Sequence, residues 1–289
     1  MIVRLGLHEK RNGQGVRYPI TIGTAVVVAK HLGYHLQPDL DENPDVNKSK
    51  VKDQCEPLQP DEKFIREETK RRIMWSCFIL DSYLALGKGR ARNIQVDNLR
   101  IQLPCSQKAF DYGDNVKTRM LREDTKAFAN RQDRNRNHSV RWEDDTSQEA
   151  LVWFIKALDL CGDVVQWGCT ISRRYVQKQP LLEDSSSIES DNDRNEKLTP
   201  WHPQSTFYKL DTRLQSLKES LPQNLKISHT HTLVHISNRT STSYTLLHAV
   251  ISLCSIGLHR VGDLIFTSVC LTEIDEYKTG IPTISTMGD

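Results

Sequence analysis

Three histidines, His229, His231 and His235, form an H-x-H-x-x-x-H pattern whose spacing would suit a transition metal if the segment folded back on itself. No carboxylate or cysteine lies within several residues to complete a ligand shell, so the pattern predicts a solvated polar loop. Asp81 interrupts the most apolar run of the chain, where an unpaired carboxylate is costly. It would serve either as a general acid or base or as a buried partner of an arginine. Arg90 is the first choice of partner, with Arg71 and Arg72 behind it. Gly87-Lys88-Gly89-Arg90 superficially suggests a phosphate loop, but it follows a helix instead of preceding one and reads as a helix stop. Lys70-Arg71-Arg72, with Arg131, Arg134, Arg136 and Arg141, could serve nuclear import or DNA contact. Beside Glu67 and Glu68, however, the triplet predicts a solvated face laced with i, i+4 pairs. The nucleophile elbow, the H-E-x-x-H zinc motif, the P-loop and the dinucleotide glycine motif are all absent.

The seven cysteines (Cys55, Cys77, Cys105, Cys161, Cys169, Cys254 and Cys270) are odd in number, scattered, and never in a C-x-x-C pair, which argues for reduced core thiols over a disulfide framework or a zinc module. No apolar run in the sequence approaches about 18 residues, so neither a signal peptide nor a membrane span is predicted.

The elements that must carry these residues are helical. Tyr18 to Leu36 sets Ile22, Ala25, Val26, Ala29, Leu32 and Gly33 three and four apart, the stripe of a helix packed on one side. Asp61 to Leu86 begins charged and becomes apolar all round from Ile73, as a buried central helix does. Gln148 to Tyr175, Ser205 to Leu221 and Thr240 to Val261 repeat the helical period, and Ile94 to Pro104 reads as an extended or loop connection. An all-α fold follows: an irregular multi-helix domain around a buried hydrophobic helix, with long polar insertions. The insertions are 37–62, 106–147 and 178–203. The second holds enough aromatic residues for part of it to fold, and the third reads as an acidic linker. They account for the mean hydropathy of −0.54 in a chain of 289 residues with a net charge of +2, and one domain with three inserts is expected.

The order of the motifs carries a resemblance. Glu68-Thr69-Lys70-Arg71-Arg72-Ile73-Met74-Trp75-Ser76-Cys77-Phe78-Ile79-Leu80-Asp81, then Gly89-Arg90 and Leu103-Pro104, resembles the E-x-x-R-R-x-x-W-x-x-F-x-x-D core of the regulatory middle homology domain of fungal zinc-cluster transcription factors. Gly23, Ala25, Leu32, Gly33 and His35 are similar to that family's upstream G-x-A helix, and Leu221-Pro222 to a later segment, closest to the xylanolytic-activator type. Ala91 stands where the family carries proline, and Val27-Val28 where it carries Arg-Met.

The family's six-cysteine cluster, which holds two zinc ions and reads DNA, has no counterpart among these cysteines. The resemblance therefore implies a nuclear regulatory domain of a transcription factor, autoinhibitory or effector-sensing, without its own DNA reader and without a cofactor in this chain. Its partners would be co-regulators or a small inducer, and it would reach DNA only through an N-terminal module. The expectation is either a chain that starts at an internal methionine or a protein that acts without the cluster. Two readings from other classes stay open: a helical interaction scaffold with no transcriptional role, and a helical enzyme, which would need His248, His259, Asp81 and Asp263 clustered in a pocket.

Overall fold

The computed structural model describes His8 and residues 17–37, 59–88, 92–134, 141–143, 149–177 and 202–279. Their order is α1 (Arg17–His31), α2 (Pro60–Lys88), α3 (Gln107–Tyr112), β1 (Val116–Lys117), α4 (Thr125–Arg134), β2 (Arg141–Trp142), α5 (Ala150–Gln177), α6 (Thr206–Ser220), α7 (His229–Ser237) and α8 (Ser241–Thr279), with 3-10 turns at Val96–Asn98 and Gln223–Leu225. The fold is all-α. Its only named strands among the described residues are the two-residue β1 and β2, paired in parallel.

These residues form two compact units, Met1–Gly162 with Leu221–Val250, and Asp163–Ser220 with Ile251–Asp289. In the first, α1 buries Tyr18, Ile22, Ala25, Val26 and Ala29 and packs along α2. It ends five residues earlier than its apolar pattern suggests. Gly33 adopts φ +74°, and the Gly33 and Tyr34 amides donate back to the Lys30 and Ala29 carbonyls, a closure that a left-handed residue permits and that satisfies the terminal carbonyls. Leu32 is consequently 57% exposed instead of belonging to the packed stripe.

Helix α2 starts with Asp61 and Glu62 against its positive end. Its second half buries Met74, Trp75, Cys77, Phe78 and Leu80, as a central helix should, and it runs through Gly87 to Lys88. The expected stop at Gly89-Arg90 lies outside the described residues. The segment 106–147 folds in part. Ser106 caps α3 by accepting from the Ala109 amide, and Gly113, at φ +69°, closes it where a Cβ would meet Asp61 Cβ at 3.0 Å. Phe128 of α4 meets Trp142 edge-on at 5.4 Å. Helix α5 supplies Trp153, Phe154, Ile155 and Leu158 to the core, with Asp159 held by Arg92 and Arg122. Residues 38–58 and 178–201, the bulk of the other two expected inserts, lie outside the described residues.

The second unit is built on the later parts of α5 and α8 and on α6. Leu210 and Leu214 of α6, Val164 and Ile171 of α5, and Cys254 and Leu258 of α8 are buried. Phe207 lies between Trp167 and His259, at 6.2 and 5.9 Å between ring centroids. Ser205 caps α6 through the Tyr208 amide.

Among the described residues one window, Ser241–Gly262, is long and apolar enough by length and composition to cross a membrane, a length the residue-by-residue reading missed because serines, threonines and histidines break the run. Tyr244, Leu247, Val250, Cys254 and Leu258 within it are buried against the protein.

Candidate functional site

The motif residues of α2 converge on the chain that follows it. Glu68 is fully buried, and one carboxylate oxygen accepts from Arg72 Nε at 2.9 Å and from the Cys105 amide at 3.1 Å, while the other accepts from Arg71. Arg72 then donates to the Cys105 carbonyl at 3.1 Å and to Gln107 Oε1 at 2.8 Å, with its guanidinium 4.2 Å from the centre of the Phe110 ring. One turn on, Trp75 Nε1 donates to the Gln102 carbonyl at 2.8 Å. Phe78 stacks edge-on against Trp75 at 5.5 Å.

Asp81, about 120° round the helix from Trp75 at 3.6 residues per turn, accepts from Asn93 Nδ2 at 2.7 Å and from the Ile94 amide at 2.8 Å. Helix positions 68, 75 and 81 thus grip chain positions 105, 102 and 94, so the connection runs back along α2 and wraps its far end. Leu103 and Pro104 are buried within it. The function of these polar side chains is to hold backbone amides and carbonyls that would otherwise be buried unpaired.

This arrangement corrects two expectations. Arg71 and Arg72 pair with Glu68 and not with Asp81, whose charge is met by an amide side chain and a backbone N–H; Arg90 lies outside the described residues. Nor are Arg71 and Arg72 a solvated face, since Arg71 and Glu68 are buried; only Lys70, paired with Glu67 at 2.6 Å, fits that description. Arg131, offered for nucleic acid, pairs with Glu123 and lies over the Phe128 and Trp142 rings. Burial, reinforced by Glu68, pushes the Cys105 thiol up to about 12, and burial with Asp81 nearby pushes Cys77 up to about 11.

The upstream motif residues are spread more thinly. Ala25 is buried; Gly23 is half-exposed, with open space where a Cβ would go; His35 lends its carbonyl to the Arg100 amide, and its buried Nδ1 has no partner among the described residues. Leu221 is buried beside the half-buried Pro222, which leads into the Gln223–Leu225 turn.

The histidine segment is a helix, α7, and not a loop. Ser228 caps it by accepting from the His231 amide at 3.0 Å, a start signal hidden among other serines and threonines. None of its residues is buried, so it is held by specific bonds. His231 Nδ1 lies 2.9 Å from the Lys226 carbonyl, His235 Nε2 3.0 Å from that of Asn224, and, from α8, His248 Nε2 2.8 Å from that of Leu225. A carbonyl only accepts, so each of these nitrogens carries the proton. Tyr244, donating to the Lys226 carbonyl, stacks on His235 at 4.3 Å and meets His248 edge-on at 4.7 Å. Burial lowers the His248 pKa, and neighbouring His235 lowers it further against the opposing pull of the Leu225 bond.

Among the described residues no group of three His, Cys, Asp or Glu side chains lies close enough to hold a metal ion. Asp81, His248 and His259 have structural partners, and the Asp263 side chain lies outside the described residues. Sequence reasoning passed over Glu68 as a hub, although a glutamate three and four residues ahead of two arginines on a helix turning apolar is its signal.

Residues 4–259 match the family model of the fungal specific transcription factor domain. The chain is 27% identical over 253 residues to the Zn(2)-C6 fungal-type transcription factor FTF1c of Fusarium oxysporum f. sp. lycopersici, covering 84% of this chain and 22% of that protein. It is 36% identical over 100 residues to FTF2 of the same fungus, covering 35% of this chain and 8% of that one. To the uncharacterized transcriptional regulatory protein C1327.01c of Schizosaccharomyces pombe it is 22% identical over 227 residues, covering 78% of this chain and 20% of the relative. The chain thus spans about a fifth of the length of the first of these relatives. No solved structure matches.

Proposed function

The chain belongs to the fungal specific transcription factor domain family, and from that premise we propose that it regulates transcription through the packing state of its helices, with DNA read by another module. The family match over residues 4–259 carries this reading. The α2 motif supports it, because Glu68, Arg71, Arg72, Trp75 and Asp81 are occupied with internal bonds. A zinc-cluster module, of the kind named in the Fusarium relatives, supplies DNA contact, and zinc belongs to that module; no cofactor is assigned to this chain. The protein works in the nucleus, its partners are co-regulators or a small inducer, and it is not an enzyme. An effector acts by binding one arrangement of the helices better than another.

The test is a fusion of the whole chain to an unrelated DNA-binding domain ahead of a reporter gene in a fungal host. Transcription should move up or down relative to the DNA-binding domain alone, and a variant that breaks the α2 clamp should abolish the difference. A folded, nuclear fusion that leaves the reporter unchanged refutes the proposal and favours an interaction scaffold.

A further inference from the structure

Within the first unit a cavity of about 320 Å³ opens between the start of α5, the Gln223–Leu225 turn, α7 and the start of α8. That is the lower end of the size range of small-molecule sites. Leu151, Leu225 and Val234 give it apolar wall, and Glu149, His231, Asn238 and Ser243 bring polar groups to it.

What those groups still have to offer decides the ligand. His231 spends its Nδ1 proton on the Lys226 carbonyl, so in the neutral ring Nε2 keeps an unshared lone pair. Glu149 gives Oε1 to the Gln107 amide at 2.7 Å, and Oε2 bonds no protein group among the described residues. His235 is saturated: Nε2 donates to Asn224, and Nδ1 accepts from the Thr240 hydroxyl at 2.8 Å. The Asn238 carboxamide and Ser243 hydroxyl make no side-chain bond to the described protein, and each can donate or accept. No lysine or arginine among the described residues lines the cavity. The spare capacity is therefore weighted to acceptors, with one formal negative charge and no positive one.

We propose that this cavity binds a small organic cation, a protonated amine on a short aliphatic body, with the ammonium shared between Glu149 Oε2 and His231 Nε2 and the hydrocarbon on Leu225 and Val234. An ammonium has three donors and no acceptor, which is the complement of this lining. Such a ligand ties α7, which buries no residue of its own, to the starts of α5 and α8. Binding stands on the cavity alone; that occupancy alters transcription rests on the proposed function.

Calorimetric titration of the full chain with n-butylammonium, n-butanol and butyrate at fixed ionic strength tests the site. Butylammonium should bind, butanol at least about tenfold more weakly, a difference of about 1.4 kcal/mol, and butyrate not measurably. Glu149→Gln keeps an acceptor for the Gln107 amide and should weaken butylammonium by a similar factor. Ser243→Leu should block it by filling the space, and Glu67→Gln, at a pair on α2 that is not among the cavity lining, should change nothing. Circular dichroism checks that each variant is folded. Absence of butylammonium binding, equal binding of butanol, preference for butyrate, or indifference to both Glu149→Gln and Ser243→Leu would each overturn the site. A chain that binds butylammonium as expected while its reporter fusion stays silent would leave the site standing and remove the transcriptional reading.

Discussion

Replacing Glu68 by glutamine is the sharpest perturbation of the α2 clamp. The side chain keeps its volume, so no cavity opens, but the charge that compensates two guanidinium groups disappears. Glu68 is 0% exposed and Arg71 6%. Breaking a buried pair by neutralising one partner costs about 3–5 kcal/mol, because the other charge stays behind in a medium that solvates it poorly. The two arginines do not suffer equally. Arg72 retains the Cys105 carbonyl, Gln107 and the Phe110 ring, whereas Arg71 has Glu68 as its only ion-pair partner among the described residues.

Glu68→Gln should therefore lower the unfolding free energy by about 3–5 kcal/mol, or roughly 6–20 °C in Tm at about 2–4 °C per kcal/mol for a chain of this size. Adding Arg71→Met should recover much of that loss, since an apolar residue of similar length removes the orphaned charge, while adding Arg72→Met should not. Urea unfolding followed by far-UV circular dichroism and tryptophan emission measures all four proteins. A Glu68→Gln variant within about 1 kcal/mol of the parent, the range of an exposed pair, would refute the clamp, as would equal rescue by both second substitutions.

Two glycines of one motif should respond with opposite signs: Gly33→Ala, at φ +74°, should cost about 1–2 kcal/mol, and Gly23→Ala, in a helix with open space around it, should gain about 0.5–1 kcal/mol, both read as shifts in thermal midpoint. Asp81→Ala should cost about 2–4 kcal/mol by leaving the Ile94 amide without an acceptor, and Asp81→Asn, which keeps one, clearly less; equal denaturation midpoints for the two would contradict the bond to Ile94. His248 has a folded-state pKa below its unfolded value, so the unfolded chain takes up the proton first. The stability it contributes is complete above the unfolded histidine value of about 6.5 and is lost as pH falls through that value toward the folded one. Denaturation midpoints measured across this window should fall less steeply in His248→Gln than in the parent.

The helices that repeat a strong apolar period were legible from their residues: α2, α5, α6 and the first part of α8 lie within a few positions of where the pattern puts them. What escaped were features decided by contacts between segments. Helix α7 has no buried face to generate a period, and its histidines acquire their role only when the Gln223–Leu225 turn presents carbonyls to them. Asp81 demanded compensation, which composition could forecast, but the connection wrapping the helix met the demand with a backbone amide that no residue type announces. The cavity is similarly invisible, because Glu149 and His231 are far apart in the chain and are joined by the starts and turns of four elements.

The thiols of Cys77 and Cys105 sit in the α2 core and in the connection gripped by Glu68, with their pKa values pushed up to about 11 and about 12. At neutral pH almost none of either is thiolate, the species that attacks peroxides and alkylating reagents and binds metal ions. Burial and the raised pKa together should keep these two sulfurs slow to react while the clamp is closed. Their first reaction with a thiol reagent is accordingly a clock for its opening.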